Sequence, residues 1–495
     1  ADDLAQLDAA DIVPAFPDTP DAHPDAPDGS PDLFESDATV PCVPAADATP
    51  SPAAAGGTAE PASFGTRAVG GFTLDLDGFE LSFAAYGDAL RLRYEPDGAV
   101  IWDSGAVVSA PTALGVGGTC EGVVVCSDGL VAEVDPAGHV RVRDASGSLL
   151  LDEPETAFNA ALGQLRRTFE PNDRVFGLGP KTGPLNRRGR LYTLWNTDAY
   201  DSQYGGFAPD GDPLYQSIPF VLVRRSTGTH GVFEDAPRRQ TWDLTGASTW
   251  SVTAAGVLDE YVIPGPTPAA VLDRYTALTG RPAMPPRWAL GFHQSRWGWP
   301  DEETFRTIAA RFRTEKIPCD SLWFDIQAMD GFRSFTWGDA FPGPAALNAD
   351  LAALGFHTVA IVDPGIKVDP GWDIYDQGLL GGHLLGAPYV GSVWPGASVF
   401  PDFTRPETRA WWASLAARHT DVGIDGLWND MNEPSDFTAN QGGTVPDGLP
   451  VDGDGQGGTM ATGHQVYALR EAEATRTGLL AALPGRRPFV LTRAG

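Results

Sequence analysis

Asp430 carries the side chain in this chain best suited to act as a nucleophile. It lies in Asp425-Gly-Leu-Trp-Asn-Asp-Met-Asn-Glu-Pro-Ser435. Asp425 to Asn429 reads as a short strand that Pro434 forbids from continuing. Asp430 therefore stands at or just past a strand's C-terminal end, which in a parallel α/β barrel is the catalytic face. Between Trp428 and Met431 it is a carboxylate beside apolar surface, fit to attack an electron-poor sugar carbon. Spacing alone leaves a helix N-cap or a salt-bridged structural Asp open, because single carboxylates at strand ends are common. Glu433, three residues on, is too near to serve the opposite face of the same sugar, and suits a supporting hydrogen-bond role.

Other residues fall on the same side of the predicted strands. Asp325 ends Ser321-Leu-Trp-Phe-Asp325, and Asp363 ends His357-Thr-Val-Ala-Ile-Val-Asp363. Asp363 precedes Pro364, so a plain structural turn is its first reading. Trp394 lies in the long loop after that strand. An indole there can stack on the apolar face of a pyranose, as can Trp428 and, more weakly, Phe437. Core packing is the alternative for each of them. Phe176-Gly-Leu-Gly-Pro-Lys-Thr-Gly183 lacks the Gly-Lys-Ser/Thr ending and the following helix of a phosphate loop, and is rejected as one. Asp452-Gly-Asp-Gly455 lacks the twelfth-position Glu of a calcium hand and reads as a solvated loop, so no metal is expected.

The elements that position these groups fall into two patterns. From about Phe64 to Pro264, short alternating runs such as Leu90–Tyr94, Val140–Arg143 and Leu149–Asp152 are broken by turn signals at Asp97-Gly98 and Asp128-Gly129. That is an all-β domain, read as a sandwich over residues 64–265. Thr267 to Thr279 reads as a helix leading into the second pattern. There, continuous apolar strands at Trp288–His293, Ser321–Asp325, His357–Asp363, Asp425–Asn429 and Pro488–Thr492 alternate with helices. The helices are expected at Glu302–Phe312, Ala345–Leu354, Pro406–Thr420 and Val466–Leu483. Such alternation means a parallel sheet with right-handed crossovers. Residues 266–495 are therefore expected to form a (β/α)8 barrel covered only through its fifth strand, with an unpaired edge.

Composition narrows the function. The chain has 65 acidic and 34 basic residues and a net charge of −31. That balance opposes nucleic-acid binding and anionic membranes, and no apolar run approaches the length of a membrane helix. Residues 1–63 hold 13 acidic residues and no Lys or Arg. They are expected to be a disordered, self-repelling tether of the kind that suits secreted or cell-envelope proteins. Cys120 and Cys126 flank a short apolar run and either close a hairpin disulfide or stay free; Cys319 reads as a core thiol.

Trp428-Asn-Asp-Met-Asn-Glu-Pro434 resembles the nucleophile signature of glycoside hydrolase family 31, the retaining α-glucosidases and their relatives. Several other segments between about Phe64 and Gly495 resemble the same family. The resemblance makes Asp430 the nucleophile, with Met431 beside the sugar. It implies that Asp198, in Leu194-Trp-Asn-Thr-Asp198, reaches from the β-domain to the barrel mouth to bind sugar hydroxyls; a turn-capping Asp is the alternative. Asp325 matches the residue that binds the terminal sugar's hydroxyls, although Gln327 replaces the family's following Asp or His. Arg493, in Leu491-Thr-Arg-Ala-Gly495, matches an Arg at the terminal-sugar site; two positions from Gly495, it is expected to be frayed. The family's acid/base Asp follows the fifth strand and so falls beyond Gly495. The implied activity is exo-acting retaining α-glycoside hydrolysis, first of all α-glucosidase, on α-linked oligosaccharides and without a cofactor. An α-xylosidase, a transglycosylase and an α-glucan lyase are rivals of the same fold; a non-catalytic glycan-binding module is the rival of another class.

Overall fold

A computed structural model describes residues 71–495 apart from 77, 98, 100, 120–121, 159–161, 202 and 439–442. The 1–63 segment expected to be a tether lies outside the described residues. Three antiparallel sheets occupy residues 71–265: one of seven strands, one of five, and a five-stranded meander from Gly115 to Glu153. Alternation is what builds them. Ala89–Pro96 and Val140–Asp144 each turn one side inward and leave charged residues such as Arg93 and Arg141 less buried. Leu92, Val142, Trp242 and Val252, drawn from all three sheets, share one core. Cys126 is disulfide-bonded and Cys319 is a free buried thiol. Cys42 and Cys120 fall outside the described residues.

The helix Pro268–Thr279 starts where Thr267 caps it, its hydroxyl accepting from Ala270 N. It buries Val271 and Leu278 against Phe220, Phe233 and Ile263 of the β-domain. Five parallel strands then pair in chain order: His293–Gln294, Ser321–Phe324, His357–Val362, Gly426–Asn429 and Phe489–Thr492. The three central strands are almost wholly buried, as a sheet covered on both faces requires. The two outer ones have no fully buried position. This arc is the expected partial barrel.

Three elements differ from the sequence reading, the first being the helix expected at Pro406–Thr420, which divides into Pro406–Leu415 and Ala417–Thr420. The strand expected at Trp288–His293 is a 3-10 turn at Arg287–Leu290 followed by only two strand residues. Pro285 and Pro286 preset the entry, and Gly291 passes so close to the Asp320 carboxylate that a Cβ there would collide with it. The last helix begins at Met460 rather than Val466, because its first turns pack on the β-domain and loops as well as on the barrel. Among the described residues no helix is long and apolar enough to cross a membrane.

Candidate active site

Asp430 follows the fourth strand, its N–H donating to Val362 O at 3.1 Å. The next residue, Met431, is 2% exposed and has φ of 58°. A bulky residue in the left-handed region costs roughly 1–3 kcal/mol and persists only where its surroundings hold it. Here Ser435 N donates to Met431 O at 2.9 Å, and Ser435 Oγ donates to Glu433 Oε2 at 2.6 Å. The chain thus turns sharply just after the carboxylate.

Arg493 is the centre of the site and is not frayed. Its Nε and Nη2 donate to the two oxygens of Glu433, each at 2.7 Å, in a bidentate pair. Nη2 also donates to Ser435 Oγ at 3.1 Å, and the guanidinium lies 5.0 Å from the centre of the Tyr215 ring. The main chain is held on both sides: Arg493 N donates to Asn429 O, and Ala494 N to Asn432 Oδ1. Sequence position suggested fraying; a buried carboxylate partner and a parallel strand prevent it. Glu433 is fully buried and gives both of its oxygens to this Arg.

Arg493 also faces Asp430, with Nε 3.1 Å from Oδ1, and Asp198, with Nη2 3.7 Å from Oδ2. The Nε–H points at Glu433, so Asp430 Oδ1 feels the positive charge yet receives no directed hydrogen bond. Burial pushes the Asp430 carboxyl up to about 7; Arg493 pulls it down, and Glu433 and Asp325 push it up. Asp363, 2% exposed, is raised well above the usual range by burial first and by the Asp430 charge second. Its Oδ1 also lacks a hydrogen bond. Asp325 is raised by burial and accepts from Ile326 N at 2.7 Å. The site therefore gathers five carboxylates around one guanidinium. Asp363, read from sequence as a turn former, belongs to it; the missed signal is that three successive strands all end in Asp or Asn-Asp.

Asp198 arrives from the β-domain on a loop locked to the barrel. Trp195 stacks on His464 at 3.8 Å between ring centres, His464 Nε2 lies 2.7 Å from Asn196 O, and Asn196 N donates to Gln465 Oε1. Burial holds His464 down at about 3, so it stays neutral and donates to that carbonyl. Nothing in the local sequence marks His464 or Gln465 for this task.

Aromatic side chains stand in the loops that follow the same strands, or at their ends. Trp428 packs on Ile326, Met329 and Ile361 inside the arc. Trp394 sits at the tip of a two-residue hairpin between Gly391–Val393 and Gly396–Val399, with Gly396 at φ of 90°. Its ring meets Phe437 edge-on at 5.3 Å, and Trp297 at 6.3 Å. Asp436 moors the hairpin, accepting from Ser392 N at 3.0 Å and from Tyr389 OH at 2.6 Å. Trp297, 68% exposed, was not singled out from sequence; Arg296-Trp-Gly-Trp299, directly after the first parallel strand, is where it was legible. Gln327 donates no charge here: its Oε1 accepts from Gly298 N at 3.1 Å and so steadies the Trp297 turn. Lys181 of the rejected phosphate loop is buried on Asp212 at 2.6 Å. Asp454 of the Asp-Gly loop faces Arg409 at 2.8 Å.

The "Glycosyl hydrolases family 31 TIM-barrel domain" matches residues 282–495, and the "Glycosyl hydrolase 31 N-terminal galactose mutarotase-like domain" matches residues 72–243. The chain belongs to glycoside hydrolase family 31. Within family 31, it is 40% identical over 423 residues to alpha-glucosidase 2 of Bacillus thermoamyloliquefaciens, covering 82% of this chain and 53% of that protein. It is 34% identical over 394 residues to the lysosomal alpha-glucosidase of Rattus norvegicus, covering 72% and 40%. A family 31 dextranase of Flavobacterium johnsoniae, solved with glucose, superposes with a TM-score of 0.77 at 26% identity, over 88% of this chain and 55% of that one. The chain thus spans about half the length of the curated relatives it matches.

Proposed function

We propose that this protein is an exo-acting retaining α-glycoside hydrolase, specifically an α-glucosidase, that removes terminal α-glucosyl residues from oligosaccharides. The observation that carries the reading is Asp430: a strand-end carboxylate, buried, with one oxygen free of hydrogen bonds and held beside Arg493. In the first step Asp430 Oδ1 bonds to the anomeric carbon as the bond to the aglycone oxygen breaks. In the second, water displaces the carboxylate and restores the α configuration. The leaving oxygen takes up a proton from a general acid as it departs. Asp325 and Asp363 take hydroxyls of the terminal sugar, Asp198 closes the site from the β-domain, and Trp394 with Phe437 receives the next sugar face.

The surplus of carboxylates suits this chemistry. The transition state is oxocarbenium-like, so a buried, net-negative site stabilises the charge that develops there. The names of the relatives, alpha-glucosidases, support glucose over xylose as the terminal sugar.

Trapping with 5-fluoro-α-glucosyl fluoride followed by peptide mass spectrometry tests the reading. The expected label is on Asp430. A label on another residue overturns the assignment. No label, with binding to neutral α-glucan retained, makes the polypeptide a glycan-binding module instead.

A further inference from the structure

A second charged feature lies in the β-domain, at the edge of its seven-stranded sheet. The edge strand Arg174–Gly177 pairs antiparallel with Phe220–Arg224, and the register sets Arg174 directly opposite Arg224. Like charges directly opposite each other on a sheet destabilise it. Both side chains are exposed, and among the described residues neither meets a carboxylate within ion-pair distance. They border an open cleft of about 730 Å³ that Arg188 and Arg225 also line.

The charges of that second pair are only partly met. Arg188 lies 4.1 Å from the centre of the Phe169 ring. It spends its donors on main-chain carbonyls, including Asp173 O at 3.0 Å and Ala247 O at 2.8 Å, which fix it without neutralising it. Arg225 pairs with Asp173, Nε to Oδ2 at 3.3 Å, the one acid lining the cleft, and with Glu170, Nη1 to Oε1 at 3.7 Å. Asn186 has its Oδ1 taken by Val175 N at 3.0 Å, which leaves its amide nitrogen to donate. Four guanidinium groups against two carboxylates, both paired with Arg225, is a local excess of positive charge in a chain whose net charge is −31. None of these residues touches the candidate active site.

We propose that this cleft is an oxyanion site, taking a phosphate or sulfate group, either free or esterified to a glycan. Planar guanidinium forks match tetrahedral oxyanions with paired charge-assisted hydrogen bonds. The opposed pair Arg174 and Arg224 would bracket the anion, Asn186 would donate to it, and the immobilised Arg188 supplies fixed charge. Occupancy relieves the repulsion that the bare strand pair carries.

The test is thermal unfolding of the 495-residue chain in phosphate or sulfate against chloride at matched ionic strength, beside the variant Arg174→Gln/Arg224→Gln. The expected result is a rise in Tm with both oxyanions that chloride does not give, and loss of that rise in the variant. The variant's own Tm in chloride is expected to equal or exceed the parent's, because a like-charge pair has gone; this separates lost binding from lost folding. Titration calorimetry with sulfate should show binding weakened about tenfold or more in the variant. An oxyanion effect no larger than that of chloride, or one unchanged by the variant, overturns the proposal. Gel retardation by sulfated dextran, absent with neutral dextran and absent for the variant, assigns the esterified form; binding of the free ions without retardation assigns the free form.

Discussion

Two regions of this molecule place one arginine among several buried acids, and they lie in different parts of the fold. In the β-domain core Arg167, 1% exposed, faces Glu153 at 3.3 Å and pairs closely with Glu260, with Glu234 nearby. Trp250 covers its guanidinium at 4.9 Å. Burial raises Glu234 well above the usual carboxylate range and pushes Glu260 up to about 7. On charge and burial alone this cluster resembles the one around Arg493. It differs in place. Its members point into the sealed interior between antiparallel sheets, where nothing opens to a ligand. The Arg493 cluster lies at the C-terminal ends of parallel strands, with an aromatic rim at Trp394, Phe437 and Trp297. Perturbed carboxylates mark a site only when geometry gives a substrate access to them.

Four substitutions would break or sharpen this contrast. Asp430→Ala is expected to cost about 10⁴-fold or more in release of the aryl group from an activated aryl α-glucoside, since covalent catalysis is lost. Its Tm should not fall, because one of several mutually repelling buried acids has been removed. Arg167→Met should do the reverse. Breaking a buried ion cluster from one side costs about 3–5 kcal/mol, read as a lowered urea midpoint, while the rate per folded molecule stays within twofold. A variant that stays folded but loses activity would make the core cluster functional and erase the distinction.

Asp325→Ala should lower kcat/KM for α-glucosides by roughly 1.5–3 kcal/mol, the worth of a hydrogen bond to a charged group. A change within twofold on every α-glucoside tried removes Asp325 from the sugar site. The smallest effect expected is on pH. Asp430 must be ionised to attack, so the rate of labelling by the fluorosugar should rise as pH passes the raised value near 7. Asp325→Asn deletes a negative charge that holds Asp430 up, so ionised Asp430 becomes easier to form and the rise should move to lower pH. A shift to higher pH would mean that Asp325 favours the ionised form of Asp430 rather than opposing it as a like charge.

The sequence by itself determined the alternating strands of the β-domain, the buried parallel strands, most helix spans and the strand-end positions of Asp325, Asp363 and Asp430. Those are local matters: an apolar run of four to six residues, Thr267 before a proline, or Pro434 after a strand acts within a few positions along the chain. Tertiary structure decided the rest. Arg493 and Glu433 are 60 residues apart, and His464 and Asn196 are 268 apart, so no periodicity joins them. Which acids surround an arginine, and whether they face a cleft or a sealed core, depends on how sheets pack and which strand lies beside which. Arg167 lies in a strand and Arg493 directly after one; the two domains folding around them set one in a sealed core and the other among acids at the ends of parallel strands.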